Sequence, residues 1–227
     1  MGYRSRIDNI VVEGDLFDLI KNSIYDNCKL LVEKIFRIRV NRSVYMIELQ
    51  DNEYIRLDIK SRSNTYKIEK ENIHYRNLLV KNNINIPKII RSFYIKNILW
   101  QISEWIKGVR IQEVWNSEKM FEKCGELIAK VNSIEDNGCY LHIKDFNKIN
   151  AIWTSNEEVY CIDVILRSYK DVDSVVIKMF LIFETIDRVN AFIKGYKRFR
   201  NPGKIIEILN NTNWKCKGVD IIRHGDI

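Results

Sequence analysis

The chain has 227 residues, 46% of them hydrophobic and 30% charged, and a net charge of +7. This composition supports a packed core and excludes a disordered or fibrous chain. The longest apolar run, Val175 to Phe183, is broken by Lys178 and falls far short of a membrane span, so it reads as a buried helix.

Leu30 to Val40 reads as a strand. The alternating segments Val44–Leu49 and Tyr54–Lys60 flank the turn-forming Gln50-Asp51-Asn52-Glu53 and predict an antiparallel hairpin. The alternation assigns Val44, Met46, Ile55, Leu57 and Ile59 to one face, and Tyr45, Ile47, Arg56, Asp58 and Lys60 to the other. Ile68 to Lys81 follows at helical spacing, with Tyr75, Leu78 and Leu79 as its core stripe. Ile86-Pro87 starts an extended segment, and Ile89–Tyr94 and Leu99–Glu104 read as two more strands. Past Gly108 the pattern turns helical. Phe121, Cys124, Leu127, Ile128, Val131 and Ile134 recur at helical spacing. Val175, Met179, Ile182, Ile186, Val189, Ile193 and Tyr196 do the same along a long helix that Pro202-Gly203 breaks. Ala151–Trp153 and Val159–Ile162 are short strands around the polar turn Thr154–Glu158, and a final helix is expected from Lys204 to Leu209. The expected fold class is α+β in two lobes. A sheet lobe with one helix spans 1–104, a connector spans 105–108, and a mainly helical lobe spans 109–227.

The chemistry is concentrated in Leu141-His142-Ile143-Lys144-Asp145-Phe146-Asn147-Lys148-Ile149-Asn150 and in Ile162-Asp163. Asn150 begins one strand of the second hairpin and Asp163 ends the other, so the two should lie side by side with Asp145 close by. Oxygen ligands of this kind hold a divalent cation on phosphates, and a carboxylate can orient an attacking hydroxyl and take its proton.

This stretch resembles the catalytic loop and metal-binding strand of the protein-kinase-like superfamily. More narrowly it is similar to the aminoglycoside and choline kinase branch and to the small heptose kinases of lipopolysaccharide assembly. There a His-Gly-Asp-x-x-x-x-Asn loop precedes a hairpin ending in Ile-Asp. The resemblance implies a bilobal kinase-like fold, with Asp145 as catalytic base, Asn150 and Asp163 as Mg²⁺ ligands, and ATP as phosphate donor. Glu71 matches the helix glutamate that holds the phosphate-binding lysine, with Glu69 an equal claimant. Ile86-Pro87-Lys88-Ile89-Ile90 resembles the strand after that helix. Ser103-Glu104-Trp105-Ile106-Lys107-Gly108 resembles the hinge whose backbone, at Glu104 and Ile106, meets adenine. Cys124-Gly125-Glu126-Leu127-Ile128-Ala129-Lys130-Val131-Asn132 is similar to a helix motif in which Asn132 replaces the usual histidine. The resemblance covers about residues 35–200.

The chain departs from the pattern in three places. Ile143 and Lys144 stand where histidine and glycine precede the base, which leaves His142 as a packing residue. The expected nucleotide loop, Arg39 to Arg42, has no glycine. The phosphate-binding lysine is missing near Leu57, which leaves Arg56 and Lys60 as candidates on one strand face.

The implied reaction is transfer of the ATP γ-phosphate to a hydroxyl of a sugar, glycan or other small molecule. Fewer than a dozen residues separate Asp163 from the helix near Ser174, which leaves no room for a peptide-presenting activation segment. A pseudokinase or nucleotide-binding module is the alternative, as is an atypical small kinase within a protein or RNA-modification complex. From Lys194 onward eight Lys or Arg oppose three acidic residues. Such a field suits an anionic acceptor or contact with a membrane surface, and no specific nucleic acid is expected. Met1 to Ile10 is polar with no leader pattern, and the five cysteines form no framework, so a cytoplasmic location is expected.

Overall fold

The computed structural model describes residues 10–38, 43–60, 65–180 and 183–211, with the side chains of 65–72 set aside. The chain divides into two compact units. One comprises Met1–Glu69 and Pro87–Trp105, the other Lys70–Ile86 and Ile106–Ile227. No described helix is long and apolar enough to cross a membrane.

The first unit is an antiparallel sheet with a helix on one face. It contains β1 (Ile10–Val11), α1 (Asp15–Cys28), β2 (Val32–Arg37), β3 (Val44–Leu49), β4 (Tyr54–Lys60), β5 (Ile89–Ile95) and β6 (Ile98–Glu104). Strand order among the described residues is β1-β2-β3-β4-β6-β5. Asp15 and Asp18 sit at the positive end of α1. Lys29 ends the helix in a left-handed turn and donates its N–H to Tyr25 O at 2.9 Å. Ile20 and Ile24 bury the inner face of α1 against Ile35, Ile47, Leu57 and Ile102. The periodicity of α1 was not picked out in the sequence.

The β3–β4 hairpin corrects the expected faces. Leu49 N–H donates to Glu53 O at 2.9 Å and Asn52 takes φ 61°, so the turn sets Glu48 opposite Tyr54 and Tyr45 opposite Leu57. Cross-strand partners share a face. Tyr45 and Ile47 therefore point into the core with Ile55 and Leu57, whereas Met46 shares the outer face with Arg56 and Asp58. Alternation within each strand was read correctly, and the parity between the strands was not.

α2 (Thr65–Lys81) crosses the division between the units, and Leu79 with Ile84 and Ile86 belongs to the core of the second unit. That unit continues through β7 (Val109–Arg110), a 3₁₀ turn (Ile111–Val114), α3 (Glu118–Asn132), β8 (Glu135–Asp136), β9 (Cys139–Ile143), β10 (Ala151–Trp153), β11 (Val159–Cys161) and β12 (Leu166–Tyr169). It ends in α4 (Asp173–Phe180), α5 (Ile186–Tyr196) and α6 (Gly203–Asn211). Two small sheets are ordered β11-β10-β7 and β12-β9-β8.

The long helix expected through Val175–Tyr196 is two helices. Glu184 takes a left-handed backbone (φ 67°), and the Thr185 hydroxyl caps α5 by accepting from Arg188 N–H at 3.4 Å. α3 and α5 pack backbone to backbone through two glycines. A Cβ on Gly125 would overlap the Phe192 carbonyl, and one on Gly195 would overlap the Glu122 carbonyl. Their contact buries Phe121, Leu127, Ile128, Phe192 and Tyr196.

Candidate active site

The site residues on the second unit are positioned by paired strands. β9 delivers the chain to Lys144-Asp145. β12 returns alongside it, with Leu166 opposite Ile143 and Lys144 N–H donating to Ile165 O at 2.9 Å. In the neighbouring sheet β10 pairs with β11, Ala151 opposite Cys161, and Ile162 N–H donates to Asn150 O at 2.9 Å. Asp163 thus lies between two backbone hydrogen bonds. The one at Ile162 ties it to Asn150, and the one at Ile165 ties it to the residue before Asp145. Phe146 and Val164, which directly follow the two aspartates, are buried in the core and hold both carboxylates half-buried beside it.

The loop from Asp145 to Asn150 is turned by an asparagine that sequence reasoning did not single out. Asn147 Oδ1 accepts from Ile149 N–H at 3.0 Å and Asn150 N–H at 3.1 Å, and its Nδ2 donates to Asp145 O at 3.0 Å. The signal available was an Asn two residues into a loop, a residue type that mimics a backbone turn. Asn150 Nδ2 also donates to Asp145 O, at 3.1 Å, which fixes the orientation of the amide. Its Oδ1 is consequently buried without a hydrogen-bond partner among the described residues, on a side chain only 7% exposed. An unsatisfied buried acceptor costs about 1–3 kcal/mol, and a cation would satisfy it. The donor set of Asn150 Oδ1 and the Asp163 carboxylate is all oxygen and suits Mg²⁺, which completes its shell with water and ligand phosphates. No cluster of three or more His, Cys, Asp or Glu gathers among the described residues, so a bound ion here depends on that mixed pair and on its ligand.

The remaining candidates belong to the first unit or its margin. Arg56 lies on the outer face of β4, where its Nε and Nη2 donate to the two oxygens of Asp58 at 2.8 and 2.9 Å. Both side chains are about 15% exposed (15% and 14%), so the pair is largely shielded from solvent. Lys60 lies on the same strand but is exposed, with Nζ donating to Gln101 Oε1 at 3.3 Å. Glu104 ends β6. Its backbone N–H donates to Lys88 O, and its carboxylate accepts from Lys88 N–H, each at 3.0 Å. Ile106 follows, half-buried. The side chains of Glu69 and Glu71, and the loop Arg39–Arg42, lie outside the described residues.

His142 is a packing residue, as the sequence suggested. It is almost fully buried, and its Nδ1 meets Asn132 Oδ1 at 3.1 Å. Asn132 Nδ2 donates to Tyr196 Oη at 3.1 Å, and Tyr196 donates to Asp173 Oδ1 at 3.0 Å. Arg200 closes the network on Asp173 (3.1 Å) and on the Asn132 carbonyl (2.9 Å). Desolvation depresses the His142 pKa from 6.5 to about 4.

The basic face expected around Lys194–Lys204 is largely neutralised. Lys194 pairs with Glu122 at 2.9 Å, Arg198 with Glu122 and Glu126, Arg200 with Asp173 and Lys204 with Asp171 at 2.8 Å. The hydrogen bond from Lys194, with the nearby Arg198, holds the Glu122 pKa below its usual value. Of these five, Lys197 alone has no ion-pair partner among the described residues. These cations, carried by the end of α5, the turn after it and the start of α6, face acids of α3, of the turn before α4 and of the first residue of α4, which are far away in sequence. Basic residues beyond 211 lie outside the described residues.

No known family model matches the sequence, and no curated protein matches it. Solved structures do share its fold. Spectinomycin phosphotransferase APH(9)-Ia, in complex with ADP and spectinomycin, is similar at a TM-score of 0.66 and 9% identity, over 84% of each chain. Plasmodium vivax ethanolamine kinase is similar at 0.66 and 11% identity, over 92% of this chain and 81% of that one. LicA in complex with AMP is similar at 0.59 and 14% identity, over 86% and 85%. The chain has the bilobal protein-kinase-like fold of small-molecule kinases.

Proposed function

We propose that the protein is an ATP-dependent phosphotransferase that moves the γ-phosphate to a hydroxyl of a small molecule, a sugar or glycan among them. The observation that carries this reading is the buried, unpartnered Asn150 Oδ1, held by one loop beside Asp145 and by one strand pair beside Asp163. The nucleotide complexes of the structures it resembles support ATP as donor. In this reading Asn150 and Asp163 would hold Mg²⁺, which would supply positive charge to neutralise the donor's phosphates. Arg56 is preferred to Lys60 as the phosphate-binding cation, because Asp58 preorganises it in a shielded position. By the same resemblance Glu71, or equally Glu69, would hold that cation, and the backbone at Glu104 and Ile106 would meet the adenine. Asp145 accepts a hydrogen bond from the acceptor hydroxyl and takes its proton as the new O–P bond forms and the bond to the ADP oxygen breaks.

A small acceptor is favoured over a polypeptide. Only residues 164–172 separate Asp163 from α4, and β12 within them is locked to β9. The described cysteines are free, which suits the cytoplasm, where ATP is supplied. A nucleotide-binding module without turnover is the second reading, favoured by the lack of glycine in the Arg39–Arg42 sequence and of a lysine near Leu57.

A thermal-shift titration with ATP, with and without Mg²⁺, followed by an ADP-release assay, tests both readings. The wild type should bind ATP in a Mg²⁺-dependent way, Asp163→Asn should lose that dependence, and Asp145→Asn should keep binding while losing turnover by orders of magnitude. Binding unaffected by Asp163→Asn overturns the metal assignment. Binding without any ADP release in the wild type selects the second reading.

A further inference from the structure

The loop that carries Asp145 also carries a cation that the scheme above does not use. Asn147 folds the loop so that Lys148 and Ile149 form its tip, and Gln112 N–H donates to Lys148 O at 3.1 Å to hold the tip against the 3₁₀ turn. Lys148 Nζ lies 5.2 Å from the ring centroid of Trp115, and the Arg188 guanidinium lies 5.6 Å from the same ring. One carboxylate serves both cations. Glu184 Oε2 accepts from Arg188 at 2.8 Å, and Glu184 Oε1 meets Lys148 at only 3.4 Å.

The two cations are not equivalent. Arg188 is 18% exposed and spends its other donors on Phe183 O and Asn116 Oδ1, each at 3.1 Å, so it is a fixed part of the frame. Lys148 is 40% exposed, on a flexible stem, and the single polar contact of its ammonium among the described residues is longer than an ordinary charge-assisted hydrogen bond. Two positive charges against one negative leave this cluster with a surplus of one, and the movable cation holds it. Trp115 adds a buried indole N–H that finds no acceptor among the described residues.

We infer that Lys148, framed by Trp115, Arg188 and Glu184, is an acceptor-side subsite for an anionic group, a phosphate or carboxylate, on the molecule that Asp145 deprotonates. The inference rests on the proposed role of Asp145, since Lys148 sits three residues beyond it on the same turn. It also moves the case for an anionic acceptor from the Lys194–Lys204 segment, where four of five charges are paired internally, to the loop that carries the base. An ammonium group suits the task. It exchanges one oxyanion for another without rebuilding its surroundings. Glu184 then acts as an internal competitor that keeps Lys148 in place until the ligand's anion displaces it.

This competition gives the test its sign. Glycerol 3-phosphate is titrated into the full chain at low ionic strength, with glycerol as the neutral control, by calorimetry. The wild type, Lys148→Ala and Glu184→Gln are compared. The wild type should bind glycerol 3-phosphate and not glycerol, Lys148→Ala should weaken that binding at least tenfold, and Glu184→Gln should tighten it. A role in stapling the loop to α5 predicts instead that both substitutions act in the same direction. Equal affinity for glycerol 3-phosphate in all three proteins overturns the subsite, as does binding of glycerol as tight as that of its phosphate. A Mg²⁺–ATP thermal shift on the same samples separates the two levels. Its absence in the wild type overturns the kinase reading and the acceptor role with it. Its presence beside an unresponsive calorimetric series overturns the subsite alone.

Discussion

The buried pair of His142 and Asn132 predicts a stability loss in mild acid, before any carboxylate titrates. Tyr196 donates to Asp173, so its oxygen accepts from Asn132 Nδ2, and Asn132 Oδ1 is left to accept from His142. His142 therefore carries a proton on Nδ1, and burial keeps the ring neutral by disfavouring a second proton on Nε2. In the unfolded chain the imidazole binds a proton near pH 6.5, whereas in the folded protein burial delays this to about pH 4. Between those values the unfolded state holds more protons, so stability falls as pH falls. A shift of about 2.5 units amounts to about 3 kcal/mol in full, of which about 2 kcal/mol is lost between pH 7.5 and pH 5. The assay is urea denaturation at 25 °C across that range, for the wild type and His142→Gln. Glu122, Asp171 and Glu184, whose pKa values are held low by their ion pairs, contribute only below the window. The wild type should lose about 2 kcal/mol, and His142→Gln should lose much less across the same range. If His142→Gln keeps the full pH slope, the loss originates elsewhere and the neutral-histidine argument is refuted.

Arg56→Met should weaken ATP binding at least tenfold, and Lys60→Met should change it less than twofold, because only Arg56 is shielded and preorganised on its strand; isotherms of equal affinity would return the choice to the two candidates equally. Gly195→Ala should cost on the order of 3 kcal/mol or prevent folding, since the added methyl meets the Glu122 carbonyl and the two helices must part. Gly203→Ala, where the methyl meets only the Asn201 side chain, should stay within about 0.5 kcal/mol by thermal denaturation, and equal losses at the two positions would refute the close-packing argument.

The fold was legible where its signal is local. The period-2 segments Val44–Leu49 and Tyr54–Lys60 and the helical stripe of α3 were read from side-chain spacing alone, and the structure has them at those positions. What was misread depends on a single backbone angle. Parity between β3 and β4 is set by the turn that Asn52 closes at φ 61°, and no alternation within a strand reports it. The expected long helix failed similarly. Its stripe continues in phase through Val175–Tyr196, but α4 ends at Phe180, and among the described residues the left-handed Glu184 and the Thr185 cap mark the new start at α5. α1 escaped notice because its exposed face carries Leu16, Leu19 and Tyr25, which blur the contrast that marks an amphipathic helix.

The candidate site was legible for a different reason. Asp145, Asn150 and Asp163 lie at the ends of strands that pair, so a spacing in sequence becomes a spacing in space through backbone hydrogen bonds such as Ile162 to Asn150 and Lys144 to Ile165. Nothing comparable links Lys148 to Glu184 or Lys194 to Glu122, which meet only because α3, α5 and the loop tip pack together. For this reason the basic segment looked like a free electrostatic surface, while a cation on the proposed base's own loop passed unremarked. A charge count along a chain gives the charge that a surface carries before folding pairs it, and here the helix packing cancels most of it. The surplus that survives at Lys148 does so because two cations share one carboxylate, and that imbalance exists only in three dimensions.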